Sequence, residues 1–116
     1  MKRDMELIRK ILLAVESWPA RGGDRTFAAP EEEVNYNIDQ AIQAGLLQGE
    51  TLDTMTSMVC LVDGLTPYGH DFLDNARTQY VWDEVMGDIK ERGIVSASID
   101  IVKDLLNRAL RKRLEV

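Results

Sequence analysis

The side chains of this sequence that could do covalent or acid–base chemistry are few, and each has a simpler occupation. His70 is the one histidine and stands beside Asp71, which gives the composition of a general-base pair. Consecutive helix positions point about 100° apart, so the two are badly placed to share a hydrogen bond. A histidine at a helix start, packed beside a hairpin and bonded to a main-chain carbonyl, is the preferred reading. Cys60 lies in the apolar run Met58-Val59-Cys60-Leu61-Val62 with no cation or histidine near it in sequence. That setting predicts a small buried side chain and not a nucleophile, and a lone cysteine forms no intrachain disulfide. Glu31, Glu32 and Glu33 resemble the start of a carboxylate cluster, but adjacent helix positions spread them around the axis. A helix N-terminus accounts for such anions without a ligand. The chain has no glycine-rich phosphate loop, no His/Cys set at zinc spacing and no nucleophile elbow. The expectation is no enzyme, no cofactor and no metal.

Charge is more informative. The formal net charge is −6 over 116 residues, and no lysine or arginine occurs between Arg25 and Arg77, where nine carboxylates stand. Residues 1–65 carry net −5 and residues 66–116 net −1. Lys103, Arg108, Arg111, Lys112 and Arg113 against Asp104 make the last helical stretch locally positive, so an acidic middle is followed by a basic tail. The size suits one domain able to bury its own core, and 45% hydrophobic with 29% charged residues is ordinary for a soluble protein. No apolar run approaches the roughly 20 residues of a membrane span. Acids at Asp4 and Glu6 interrupt what would be a signal sequence, so the expected location is the cytoplasm.

The elements that must position these residues follow from periodicity. Met5, Ile8, Leu12 and Val15, widened by Leu7, Ile11, Ala14 and Trp18, predict a core helix that Pro19 ends. Arg3, Glu6, Arg9, Lys10 and Glu16 fall on its other side. Residues 19–30 read as loop around Gly22-Gly23, with Phe27 anchoring a short strand. A second helix begins near Pro30, buries Val34, Ile38, Ala41 and Ile42, and is capped by Gly45. Leu46-Leu47 opens a short strand, Gly49 to Ser57 reads as a hairpin tip, and Met58 to Val62 is a second strand closed by Asp63-Gly64. Thr66 and Pro67 start a third helix that turns Phe72, Leu73 and Ala76 inward. A fourth carries Val81, Trp82, Val85, Met86 and Ile89 and stops at Gly93. Ser96 or Ser98 caps a fifth, with stripe Ile99, Val102, Leu105, Leu106, Ala109 and Leu110.

Helix, glycine turn, strand, hairpin, strand is the winged-helix order. The expected class is mainly α with a small β-hairpin: one winged-helix-like domain over 1–116, with helices and wing in 1–65 and additional C-terminal helices in 66–116. Ala44-Gly45-Leu46-Leu47, followed by Leu65-Thr66-Pro67-Tyr68-Gly69-His70-Asp71-Phe72-Leu73, resembles the helix exit and wing exit of many winged-helix regulators. The opening Met1-Lys2-Arg3-Asp4-Met5-Glu6-Leu7-Ile8-Arg9-Lys10-Ile11-Leu12-Leu13 is similar to that of a bacterial and phage family known as a domain of unknown function. So are Glu32-Glu33-Val34-Asn35-Tyr36-Asn37 and Gly69 to Arg77, with Trp82 beyond. The resemblance spans nearly the whole chain and implies a phage or prophage setting and a winged-helix-like fold. It brings no activity and no site residues. Asn37 stands where the resemblance leads one to expect histidine, and Gly22-Gly23 looks like an insertion.

In a DNA-binding winged helix, the helix over 31–44 and the wing would carry cations, because phosphate neutralisation drives binding. Here they carry carboxylates, and Asn35, Asn37, Gln40 and Gln43 would read bases only after that repulsion had been overcome. Tyr36 and Tyr68 lack the interleaved cations of a single-strand stacking platform. The functional expectation is a non-enzymatic interaction or regulatory module that binds a protein partner through an acidic face, with Asp39, Glu50 and Asp53 as the candidate contacts. The alternative is a transcription regulator touching DNA through its basic termini: Lys2, Arg3, Arg9 and Lys10, and above all Arg108, Arg111, Lys112 and Arg113. Pairing of two copies through the last helix is a further possibility that the sequence raises. A membrane partner is not expected.

Overall fold

The computed structural model describes residues 2–18, 26–27 (backbone), 32–94 and 97–114. The chain divides into two compact units, Met1–His70 and Asp71–Val116. Among the described residues there are five helices and three strands, so the class is mainly α with a small antiparallel sheet.

The first unit opens with α1 (Met5–Glu16), capped by Asp4, whose Oδ1 accepts from the Leu7 amide at 3.2 Å. Met5, Ile8, Ile11, Leu12 and Val15 are buried, as their spacing predicts. Leu7 and Trp18 are half-buried and Ala14 is exposed. Arg9 departs from the sequence reading: it is buried, 6% exposed, and not on a solvated face. The helix ends at Glu16 with Ser17 as its C-cap, while Pro19 lies outside the described residues.

Strand β1 (Thr26–Phe27) precedes α2 (Glu32–Gln43). Ile38 and Ala41 of α2 are buried, with Val34 and Ile42 half-buried; Pro30 and Glu31 lie outside the described residues. Its exit is a Schellman turn. Gly45 takes φ +79°, its amide donates to the Ile42 carbonyl at 3.0 Å, and the Leu46 amide donates to Ala41 at 2.9 Å. A side chain at that φ is strained, which is why the helix stops at a glycine.

Strands β2 (Leu47–Asp53) and β3 (Met58–Leu65) form the hairpin, and β1 pairs with the other side of β3, giving the order β1-β3-β2. Both strands exceed the sequence expectation. The tip is Thr54 to Ser57, closed by the Thr54 amide on the Ser57 carbonyl (2.8 Å) and the Ser57 amide on Thr54 Oγ1 (2.9 Å). Glu50 and Asp53 therefore belong to a strand, opposite Leu61 and Met58, and not to a tip. The stretch Asp63-Gly64 does not close β3 either. Gly49 pairs with Val62 and Gln48 with Gly64, so Asp63 is the extra residue of a bulge, beyond which Leu65 pairs with Leu47. That extra residue resets the two-residue alternation and keeps Leu65 on the same face as Leu47, Cys60 and Val62. Helix α2 covers this face: the Cys60 thiol reaches the Asn35 carbonyl at 3.7 Å.

Helix α3 (Pro67–Ala76) starts in the first unit at the predicted cap. Thr66 Oγ1 accepts from the Gly69 amide at 2.9 Å. In the second unit, Phe72, Leu73 and Ala76 are buried, as are Val81, Trp82, Val85 and Ile89 of α4 (Gln79–Glu91). Met86 is half-buried, and Gly93 at φ +73° follows the helix end. Helix α5 (Ile99–Leu114) packs on α4, with Ser98 Oγ accepting from the Ile101 amide at 3.2 Å. Ile99, Val102 and Leu106 are its buried residues, while Leu105, Ala109 and Leu110 are half-buried. Ser96 lies outside the described residues. The Asn75 side-chain amide donates to the Asn107 side-chain carbonyl, joining α3 to α5.

Candidate functional site

Helix α2 carries the amides expected from the sequence to read bases, and most of them are engaged within the fold. Asn37 is fully buried; its Oδ1 accepts from the Asp4 amide at 2.7 Å and its Nδ2 donates to the Glu33 carbonyl at 2.9 Å. Asn35 is 7% exposed. Gln40 Oε1 accepts from Arg3 at 3.2 Å, and Gln43 Nε2 donates to Asp39 Oδ2 at 2.7 Å. What α2 offers to solvent is Glu32, Glu33 and Gln43, which are exposed, with Asp39 and Gln40 half-buried.

The three candidate acids are not one patch. Directly opposed residues of an antiparallel pair put their side chains on the same face. Asp53 is opposite Met58, and Thr51 is opposite Cys60, so Asp53 shares the face of Cys60 and α2. Glu50 and Leu52, opposite Leu61 and Val59, lie on the other face. Electrostatics agree with this division. Burial pushes the Cys60 thiol up from its ordinary 9.0; the Thr51 hydroxyl, 3.8 Å away, opposes this, and the carboxylates of Asp39 and Asp53 add to the rise. Asp39 and Asp53 thus act on one locality, and Glu50 stands apart. The thiol is fully buried, the setting of an inert cysteine and not a reactive one.

The basic candidates are also divided. Arg9 is buried and Arg3 is half-buried with its guanidinium on Gln40, so the N-terminal cations do not form an open cluster. On α5, Arg113 donates to Glu84 at 2.9 Å and lies 4.0 Å over the Tyr80 ring. These partners push its pKa up, Glu84 first, and fix it to α4. Arg108, Arg111 and Lys112 are exposed. His70 is exposed on α3, and among the described residues no group of three His, Cys, Asp or Glu side chains could hold a metal ion. No helix among them is long and apolar enough to cross a membrane.

The segment Leu65 to Gly69, which carries much of the resemblance noted in the sequence, does structural duty. The Thr66 hydroxyl donates to the Gly45 carbonyl and accepts from Gly69, while the Thr66 amide donates to Leu46 at 3.1 Å. Gly69 lies so close to Leu46 that an added Cβ would overlap its carbonyl oxygen. The motif is the joint between the exit of α2 and the start of α3.

Residues 2–95 match the family described as "Hypothetical protein (DUF2513)". The chain belongs to the DUF2513 family. An uncharacterised protein of Haemophilus influenzae is 31% identical over 118 residues, which cover 98% of this chain and 99% of that protein. No solved structure matches this DUF2513 chain. The family agrees with the domain of unknown function that the opening and Gly69–Arg77 segments resemble.

Two residues escaped the sequence reading of this DUF2513 chain. Asn37, read as a base-reading candidate, is a buried link from α2 to the cap of α1; its one signal was that it stands in place of the expected histidine. Arg9 was read as solvated, and nothing local distinguishes it from Lys10.

Proposed function

We propose that this chain is a non-enzymatic interaction or regulatory module whose first unit is winged-helix-like and binds a protein partner through its acidic surface. One observation carries the reading: of the α2 side chains that could read bases, Asn35 and Asn37 are buried, Gln40 is bonded to Arg3 and the exposed Gln43 to Asp39, while Glu32 and Glu33 face outward. A duplex meeting Glu32, Glu33 and Asp39 would be repelled, whereas a basic protein surface would be attracted and steered. The sheet order β1-β3-β2 and a glycine turn from α2 into the hairpin support the winged-helix comparison. The element preceding α2, among the described residues, is a strand and not the first helix of a helix-turn-helix, which speaks further against a DNA reader of that kind. A phage or prophage protein opposing a host nucleic-acid-binding complex would gain from such a surface.

The test is a pull-down from host lysate using the wild-type chain, an Asp39→Asn/Asp53→Asn variant and an Arg108→Ala/Arg111→Ala/Arg113→Ala variant, beside a low-salt gel shift with random duplex. The expected result is a salt-sensitive partner kept by the tail variant and lost by the acidic one, with no duplex shift. Duplex binding that vanishes in the tail variant would establish the DNA reading in its place.

A further inference from the structure

Glu50 and Asp53 are three residues apart on β2 and so lie on opposite faces of the sheet. Helix α2 covers the Asp53 face, and a partner laid flat on the other face meets Glu50 and misses Asp53. The edge of β2 reaches both. In the order β1-β3-β2 this strand is terminal, and among the described residues no strand pairs with its outer side. It is seven residues long and has neither the proline nor the lysine that commonly protects an edge. Gln48, Glu50, Leu52 and Asp53 are exposed along it. Alternate amides and carbonyls of such a strand point outward, which is the template for strand addition.

We infer that β2 takes up an extended cationic segment of a protein partner as a fourth strand of the sheet. This rests on the acidic-surface reading above and specifies how that surface is used. Charge selects the occupant. A second copy adding its own β2 antiparallel in the central register sets Glu50 opposite its own counterpart, and like charges directly opposed are destabilising. A segment with lysine or arginine at two positions three apart sets one cation beside each carboxylate, across about 10 Å of strand. The residue facing Leu52, whose side chain is 47% exposed, lies on the Glu50 face and is best apolar.

The probe is a fluorescein-labelled nonapeptide of threonine and valine with two lysines three apart and valine following the first. Two versions carry N-methyl groups on alternate residues, one set odd and one even, and a fourth has glutamate for lysine. Anisotropy with the full chain should show saturable binding that weakens with salt. One N-methylated version should lose at least about tenfold, because only one set of amides faces the edge. Glu50→Gln and Asp53→Asn should each weaken binding about two- to fivefold, the scale of a cross-strand ion pair. Amide shift changes should centre on residues 48–53. If both N-methylated peptides bind like the parent, strand addition is wrong, while an acidic contact surface survives. If the lysine peptide does not bind saturably although the lysate partner is captured through Asp39 and Asp53, the edge proposal alone falls. A stable dimer that competes with the peptide would give the edge to a second copy and overturn the proposal.

Discussion

Thr66→Val is the sharpest perturbation available, because it keeps the shape of the side chain and removes only the hydroxyl. That hydroxyl donates to the Gly45 carbonyl, with the Leu46 carbonyl 3.3 Å away, and accepts from the Gly69 amide at 2.9 Å. Losing the cap of α3 costs about 1 kcal/mol. Leaving a part-buried carbonyl without its donor costs about another 0.5–1.5 kcal/mol. The sum, about 2 kcal/mol, is a large share of the stability of a small domain. With a urea slope of about 1–3 kcal/mol per molar, the unfolding midpoint should drop by on the order of 1 M. Circular dichroism reports the helices, and Trp18 and Trp82 report one unit each. Thr66→Ser retains the hydroxyl and should cost well under half as much. A valine variant that unfolds at the wild-type midpoint, or a serine variant as damaged as the valine one, would refute the assignment of this residue as the joint.

Three other expectations concern α1, the hairpin and α5. Asn37→Ala strips the Asp4 amide of its acceptor and should destabilise by about 1–3 kcal/mol; combined with Asp4→Ala, the double variant should lose less than the sum of the two single losses in thermal melts, because both act on one network. Native Cys60 should react with a disulfide reagent far more slowly than in urea. Its folded pKa lies above the unfolded one, so its contribution is complete below about pH 9 and is lost as pH rises through that range; Cys60→Ala should flatten the alkaline fall in stability. Arg113→Ala breaks an exposed pair, and its unfolding midpoint should match the wild type, since such pairs contribute little. A large drop would show that the Glu84 and Tyr80 contacts hold α5 to α4 and would disqualify that variant as a control for duplex binding.

Much of the helical framework was legible because its signals are local. Gly45, Thr66 with Pro67, and Ser98 each announce an end or a start within a few residues, and the stripes of α1 and α4 follow from spacing alone. The strands were shortened because Gly49, Glu50 and Asp53 are poor strand formers by composition; pairing with Val62, Leu61 and Met58 draws them into the ladder all the same. The buried role of Asn37 depends on Asp4, 33 residues away, and no local rule carries that information. For the candidate acids, the sequence supplied residue types but not faces. Reading Glu50 and Asp53 as tip residues hid the two-residue alternation that sends them to opposite sides of the sheet.

The bulge at Asp63 has a consequence for how chain length can vary among relatives. Removing this one residue would turn Leu65 to the solvent side and shift Thr66 out of reach of Gly45, so a deletion there should undo the α2–α3 joint as well as the hairpin. At the Thr54–Ser57 tip, the bonds broken by an inserted or deleted residue are local and exposed. Length differences between relatives should therefore collect at the tip and avoid the bulge. An acidic residue at position 63 would then mark a spacing constraint, independent of whatever the neighbouring carboxylates bind.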